Sequence, residues 1–165
     1  GVFFLPYLTG ERTPHADPYA RACFIGIHAR TTKAALIRAV LEGITYGMKD
    51  ALEIMRQMNI PVRQIRASGG GARSAFWRQL QADIYQAPVA TVNVTEGAAL
   101  GVAILAMVGT GAYASVPQAC RAIIKTTDTL RPNRAASRVY ARNYPEFGRL
   151  YQSLKREFPA LHELT

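Results

Sequence analysis

V-R-Q-I-R-A-S-G-G-G-A-R-S-A-F-W, residues 62–77, decides how the chain folds. The β-branched Val62 and Ile65 predict a short strand. Ser68 and the run Gly69, Gly70, Gly71 then predict a turn. Arg73 and Ser74 open a stretch with helical apolar spacing, Phe76, Leu80 and Ile84. A strand therefore feeds a glycine turn, and the turn feeds the start of a helix. Glycine lacks Cβ, so such a turn accepts φ > 0 and lets a flat group approach the backbone. The first turn of a helix adds unsatisfied N–H groups and the positive end of the dipole. Two readings stand at this point: a nucleotide seat, or a tight strand-to-helix turn with no ligand.

Familiar phosphate motifs do not fit. There is no G-x-x-x-x-G-K-[ST], and no lysine follows the glycines. Gly69 and Gly71 match a dinucleotide fingerprint, but Ser74 stands at its third glycine, and Glu96 comes too late to serve as the acidic ribose ligand. No H-E-x-x-H, metal cluster or local Ser/His/Asp set appears.

Working outward, Val89, Ala90, Thr91 and Val92 predict a second strand after Ala87-Pro88. Two strands joined by a helix form a parallel βαβ pair. Upstream, Thr31 or Thr32 caps a long helix that stops before Pro61. Its predicted buried stripe is Leu36, Val40, Ile44, Met48, Leu52 and Met55, widened by Ile37 and Leu41. Gly43 and Gly47 in mid-helix each cost about 1 kcal/mol against alanine, which suggests another backbone packed close. Downstream, Glu96 opens a helix to about Val108, in which Gly97 and Gly101 make a groove for close contact. Ser115-Val116-Pro117 starts the next helix, which reaches about Lys125, and Leu130-Arg131-Pro132 is a linker. A last helix begins near Asn133 with the stripe Tyr140, Tyr144, Phe147, Tyr151, Leu154 and Phe158, and Pro145 predicts a kink or break near Tyr144. At the other end, Phe3 to Leu8 is extended, and the loop 9–18 follows. The charged residues of that loop, Glu11, Arg12 and Asp17, either line a site or hydrogen-bond the loop's own backbone, and His15 is read as structural. Residues 22–27 form a second short apolar piece.

The 165 residues, 49% of them hydrophobic, suit one domain with a sizeable core. The formal net charge is +9, but nine basic residues lie between Arg121 and Arg156 against Asp128 and Glu146. A solvated basic helix face accounts for this excess, so no nucleic-acid partner is expected; a basic nucleic-acid-binding module is the rival reading. Cys23 and Cys120 match no metal or redox spacing and fit a reducing, cytoplasmic compartment. No secretory signal is seen, and residues 97–108, the longest apolar run, are too short to span a bilayer, so no membrane partner is expected. The start on Gly1, inside an apolar run and without Met, is what a cut within a larger protein produces.

Three stretches together resemble the C-terminal domain of the FGGY family of carbohydrate kinases. F-L-P-Y-L-T-G-E-R-T-P-H (residues 4–15) resembles the loop before the family's second signature. Ala22-x-Phe24-x-Gly26-Ile27, followed after eight residues by Leu36-x-x-Ala39-Val40-Leu41-Glu42, resembles that signature, with Ala35 where an acidic, amide or histidine side chain is usual. S-G-G-G-A-R-S-x-x-W-R-Q (68–79) with E-G-A-A-L-G-V-A (96–103) resembles the adenosine motif and the helix behind it.

The resemblance implies an α/β fold: the helix-rich C-terminal part of an actin-like (ribonuclease H-like) ATPase domain, with a short parallel strand pair and the earlier strands missing. Residues 1–165 would form the nucleotide-binding part, with Gly69, Gly70, Gly71 and Ser74 as nucleotide-binding residues. Gly70 and Gly71 would present backbone to the adenine, and Ser74 would lie at the purine or ribose edge. The implied reaction of the whole enzyme moves the γ-phosphoryl of ATP, with Mg, to a sugar. D-xylulose is the first expectation; ribulose, glycerol and a tetritol are alternatives. Catalytic base, phosphate loops and most sugar contacts are implied to lie outside this chain, so no catalytic or metal-binding residue is assigned in it, and Asp17, Glu42, Asp50 and Asp83 are read as structural. An open edge on the strand at 62–67 would allow a homodimer.

Overall fold

The computed structural model describes residues 1–94 and 97–164. They form two compact units, one of residues 1–62, 83–86 and 133–164, the other of residues 63–82 and 87–132.

In the first unit β1 (Phe3–Leu5) pairs antiparallel with β2 (Cys23–Ile25), with Phe4 opposite Phe24. The helix α1 (Lys33–Gln57) packs along β1. Thr32 is its N-cap: the Ala35 N–H donates to Thr32 Oγ1 at 3.2 Å. Ala35 is thus the third helical residue, where an acidic side chain would close a capping box. The helix ends through Asn59 in the left-handed region, φ +59°, two residues before Pro61.

The buried face of α1 is rotated from the expected stripe and shares only Leu52 with it. Ala39, Gly43, Tyr46, Lys49 and Leu52 are buried, whereas Ile37, Met48 and Met55 are exposed. Gly43 explains the rotation, since a Cβ there would lie 2.0 Å from the Phe4 carbonyl oxygen. The helix turns its smallest residues to β1 because only they admit the strand's backbone. Gly47 carries no such constraint, its nearest neighbour being Pro6 Cγ at 3.6 Å.

α5 (Arg134–Leu154) completes this core and is capped by Asn133, whose Oδ1 accepts from the Ala135 and Ala136 N–H groups. Tyr140, Phe147, Tyr151 and, in α6 (Phe158–Glu163), Phe158 are buried, as their spacing predicts. Tyr46 of α1 meets the rings of Tyr140, Tyr144 and Phe147 at 5.3–6.4 Å. Pro145 does not break the helix, which runs through it unbroken. Aromatic contacts on both sides of the proline outweigh the one lost backbone hydrogen bond.

The second unit holds a three-stranded sheet of order β3-β4-β5. β3 (Ile65–Arg66) and β4 (Val89–Val92) are parallel, as expected. β5 (Thr126–Leu130) is a strand that the sequence reading lacks, and it takes Leu130 from the expected linker 130–132; it runs antiparallel to β4, pairing Leu130 with Val89 and Thr129 with Ala90. Its residues are mostly exposed threonines, so it lacks the apolar alternation that marks a half-buried strand. Between β3 and β4 the chain forms a 3-10 turn (Gly70–Arg73) and α2 (Ala75–Tyr85). α3 (Gly97–Gly109) and α4 (Val116–Ile123) follow β4, and α4 is capped by Ser115 with Pro117 in its first turn. Glu96, expected to open α3, lies outside the described residues.

Candidate functional site

The glycine loop sits between β3 and α2, and each of its glycines has a separate physical role. Gly69 has φ +75° and ψ −166°, a conformation that L side chains rarely adopt. It turns the chain sharply out of β3. Gly71 is half-buried, and a Cβ on it would fall 2.6 Å from Trp77 Cζ3, so glycine is needed there to seat the indole ring. Gly70 answers to neither constraint: its φ is not positive, and nothing described lies within 4 Å of the place a Cβ would take. Gly70 therefore presents a bare peptide face to open space.

Ser74 ends the 3-10 turn and begins α2. Its Oγ accepts the Trp77 N–H at 3.2 Å, and its carbonyl accepts the Arg78 N–H at 3.0 Å. The hydroxyl thus caps α2 and keeps its own proton free to donate outward. Arg73 is exposed. Behind α2, the buried Arg78 donates to Asp128 on β5 at 2.7 Å, and this guanidinium holds the Asp128 carboxyl below the usual carboxylate range. Gln79 Nε2 donates to the Arg131 carbonyl at 2.9 Å. Together they tie the helix that follows the loop to the far strand of the sheet.

Next to the glycines, Ser68 lies in the wall of a cavity of about 300 Å³. Gly97 and Gly101 line it, with Leu100 and Ile104 of α3 and Cys120 of α4. The groove expected at Gly97 and Gly101 exists, but among the described residues no backbone packs into it: a Cβ at either would meet none of them within 4 Å. The part that α4 plays in this wall has no local signature in the sequence, because its residues come together with the loop only through the sheet.

The acidic residues of the first unit are engaged structurally, as the sequence suggests. Asp17 Oδ1 accepts from the Tyr19 and Ala20 N–H groups, and Asp17 Oδ2 from the Tyr151 hydroxyl. Glu42 accepts from Arg38 at 2.8 Å and from the Tyr140 hydroxyl at 3.1 Å. Asp83 accepts the Asn133 N–H at 2.7 Å. Asp50 accepts the Tyr144 hydroxyl at 2.5 Å, and burial raises its pKa to about 6. Burial lowers the pKa of the adjacent Lys49, whose ammonium lies 4.3 Å from the centre of the Tyr144 ring. His15 stacks on Tyr151 at 3.6 Å, and burial lowers its pKa too. Among the described residues no group of three or more His, Cys, Asp or Glu side chains is placed to hold a metal, and no helix is long and apolar enough to cross a membrane.

With this geometry in view, comparison with known proteins gives one answer. The FGGY family of carbohydrate kinases, C-terminal domain, matches residues 1–110. A xylulose kinase of Staphylococcus epidermidis is 41% identical over 156 residues, covering 94% of this chain and 32% of that protein. Among solved structures, a gluconate kinase and a ligand-bound xylulose kinase, both from Lactobacillus acidophilus, superpose with a TM-score of 0.88. They are 29% and 28% identical, and each match covers 97% of this chain and 32% of theirs. The chain thus spans about a third of the length of the relatives it matches. The helix-rich architecture is that of this domain in FGGY kinases, with their actin-like ATPase fold.

Proposed function

Because the chain belongs to the FGGY family of carbohydrate kinases, we propose that it forms the adenosine-binding portion of an ATP-dependent kinase that phosphorylates D-xylulose to D-xylulose 5-phosphate. Residues 1–165 act as the C-terminal nucleotide-binding part. The observation that carries this reading is Gly70, whose missing Cβ makes room for nothing among the described residues and leaves a flat peptide open to a flat ring. Gly69 sets the turn, Gly70 and Gly71 lie against the adenine, and the free Ser74 proton reaches the purine or ribose edge. ATP supplies the γ-phosphoryl group. The residues described here do not gather a metal site, so no step through Mg is assigned to them. Phosphoryl transfer rests on positioning and on neutralised charge, and the base and phosphate contacts belong to parts of the enzyme outside this chain.

D-xylulose is favoured over ribulose, glycerol or a tetritol by the name of the Staphylococcus relative, and a sugar panel in a coupled assay discriminates among them. Self-association along β3, an edge strand of its sheet, belongs to the same proposal and is read by sedimentation.

The test of the site is calorimetric. The chain binds ADP in preference to NAD and shows no kinase turnover by itself. Gly70→Val weakens ADP binding by about tenfold or more by obstructing the peptide face, while its open surroundings leave the fold intact. Equal ADP affinity of Gly70→Val and the parent chain refutes the site. Binding of DNA that falls steeply with salt, with no ADP binding, would establish the nucleic-acid module instead.

A further inference from the structure

The helix α5 arranges its charges against its own stability. Its exposed face carries Arg134, Arg138, Arg142 and Arg149, which fall within about 80° of the helix circumference at the regular turn per residue. Arg149 pairs with Glu146 at 2.8 Å. The other three have no hydrogen bond or ion pair among the described residues. They stand four residues apart, so like charges lie side by side, which destabilises a helix. They also occupy its N-terminal half, with Arg134 as the first helical residue and no acidic residue in the first turn. The positive end of the helix dipole lies there and disfavours cations. A face that needs only solvation does as well with both signs interspersed. The fold gains nothing from this row, and a local rule broken without gain to the fold marks a surface that serves a partner, here an anionic one.

The surroundings of the row select among anionic partners. The aromatic side chains of α5 lie on its other side: Tyr140, Phe147 and Tyr151 are buried, and Tyr144 packs beside Tyr46. The row therefore lacks the stacking platform that single-stranded nucleic acids use. The same burial leaves α5 no apolar face to insert into a lipid surface. A duplex backbone winds away from a straight row, and twofold pairing with a second copy brings the same arginines together. An acidic helix meets none of these objections. The three arginines repeat every four residues, about 6 Å along the axis, and glutamates four apart on a facing helix repeat at the same interval. Each guanidinium offers a planar fork that takes a carboxylate through two parallel hydrogen bonds.

We propose that the row Arg134, Arg138 and Arg142 is a docking surface for an acidic helical segment of a partner protein, one with glutamates at four-residue spacing. The surface lies within the first unit and uses neither the glycine loop nor the nucleotide reading.

The experiment takes the natural full-length polypeptide that carries this sequence and titrates it, by fluorescence anisotropy, into two labelled helical peptides of identical composition. One has glutamates every four residues; in the other the same residues are scrambled. The matched peptide is expected to bind at least about tenfold more tightly, with affinity that falls as salt rises. Arg138→Glu, in the middle of the row, is expected to weaken it by about tenfold or more, and Arg138→Ala by less, with the Kd for ADP unchanged in both. Arg138→Glu should also raise Tm, because it turns two like-charge pairs into attractive ones, so its loss of binding is not a loss of fold. Equal binding of the two peptides, or full affinity in both variants, overturns the docking surface. So does duplex DNA or a phosphatidylserine vesicle that binds the row more tightly than the matched peptide does. A lower Tm for Arg138→Glu than for the parent shows that the row serves the fold and overturns the proposal as well.

Discussion

Gly43→Ala and Gly47→Ala should shift stability in opposite directions, although the two glycines lie four residues apart on one helix. In a helix interior alanine is favoured over glycine by about 1 kcal/mol at either place. At Gly43 the new Cβ would stand 2.0 Å from the Phe4 carbonyl oxygen and 3.0 Å from its carbon, against an ordinary contact distance of at least 3.4 Å. β1 must therefore retreat by more than an ångström. It resists, because Phe4 is paired with Phe24 and Leu5 is fully buried. Overpacking of this kind costs about 1–3 kcal/mol, and a backbone neighbour places it at the upper end. The net loss is then about 2 kcal/mol, a fall in Tm of about 4–8 °C. At Gly47 the nearest atom is the Pro6 ring at 3.6 Å, so the propensity gain stands alone and Tm rises by about 2–4 °C. Thermal and urea unfolding followed by far-UV circular dichroism reads both. If Gly43→Ala melts at or above the parent, or if Gly47→Ala loses as much as Gly43→Ala, the close approach of β1 to α1 is wrong.

Thr32→Ala removes the α1 cap and should cost about 1 kcal/mol in urea unfolding, since the Ala35 N–H loses its acceptor. Asp50 gives a pH signature. Its folded pKa is raised by burial from 3.8 to about 6, so in that window the folded state holds a proton that the unfolded chain has lost. Stability should fall as pH rises through the window, and Asp50→Asn should flatten that slope in a series of melting curves. Pro145→Ala should stabilise the chain by about 1–2 kcal/mol, because it restores an N–H inside α5 at an exposed position; a lower Tm would show that the proline fits its site better than alanine.

Much of the second unit is legible in residues 62–92, because glycine, capping serine and β-branched pairs act locally. The demands on Gly69 and Ser74 arise within a few residues, and the pattern carries them. What escapes is whatever depends on a distant neighbour. In α1 the stripe of Leu36, Val40, Ile44, Met48, Leu52 and Met55, widened by Ile37 and Leu41, is the stronger hydrophobic signal, yet Ile37, Met48 and Met55 are exposed and the face that packs is set by β1, which needs Gly43 beneath it. β5 goes unrecognised because an exposed strand of threonines needs no apolar alternation; it is held by its ladder to β4 and by Arg78. Pro145 shows the reverse case: the local rule predicts a kink or break, and aromatic packing on both sides keeps the helix from breaking there. At the candidate site the glycine loop is visible in the sequence, whereas the cavity beside it is assembled from β4, α3 and α4.

The indole packed against Gly71 belongs to the one tryptophan in the chain. Excitation at the red edge of aromatic absorption therefore addresses a single fluorophore, and that fluorophore lies under the loop proposed to hold the purine. Its emission and quenching report on the surroundings of this loop, without labels and without interference from the eight tyrosines elsewhere in the sequence. The same contact that obliges residue 71 to be glycine gives the molecule its own optical gauge.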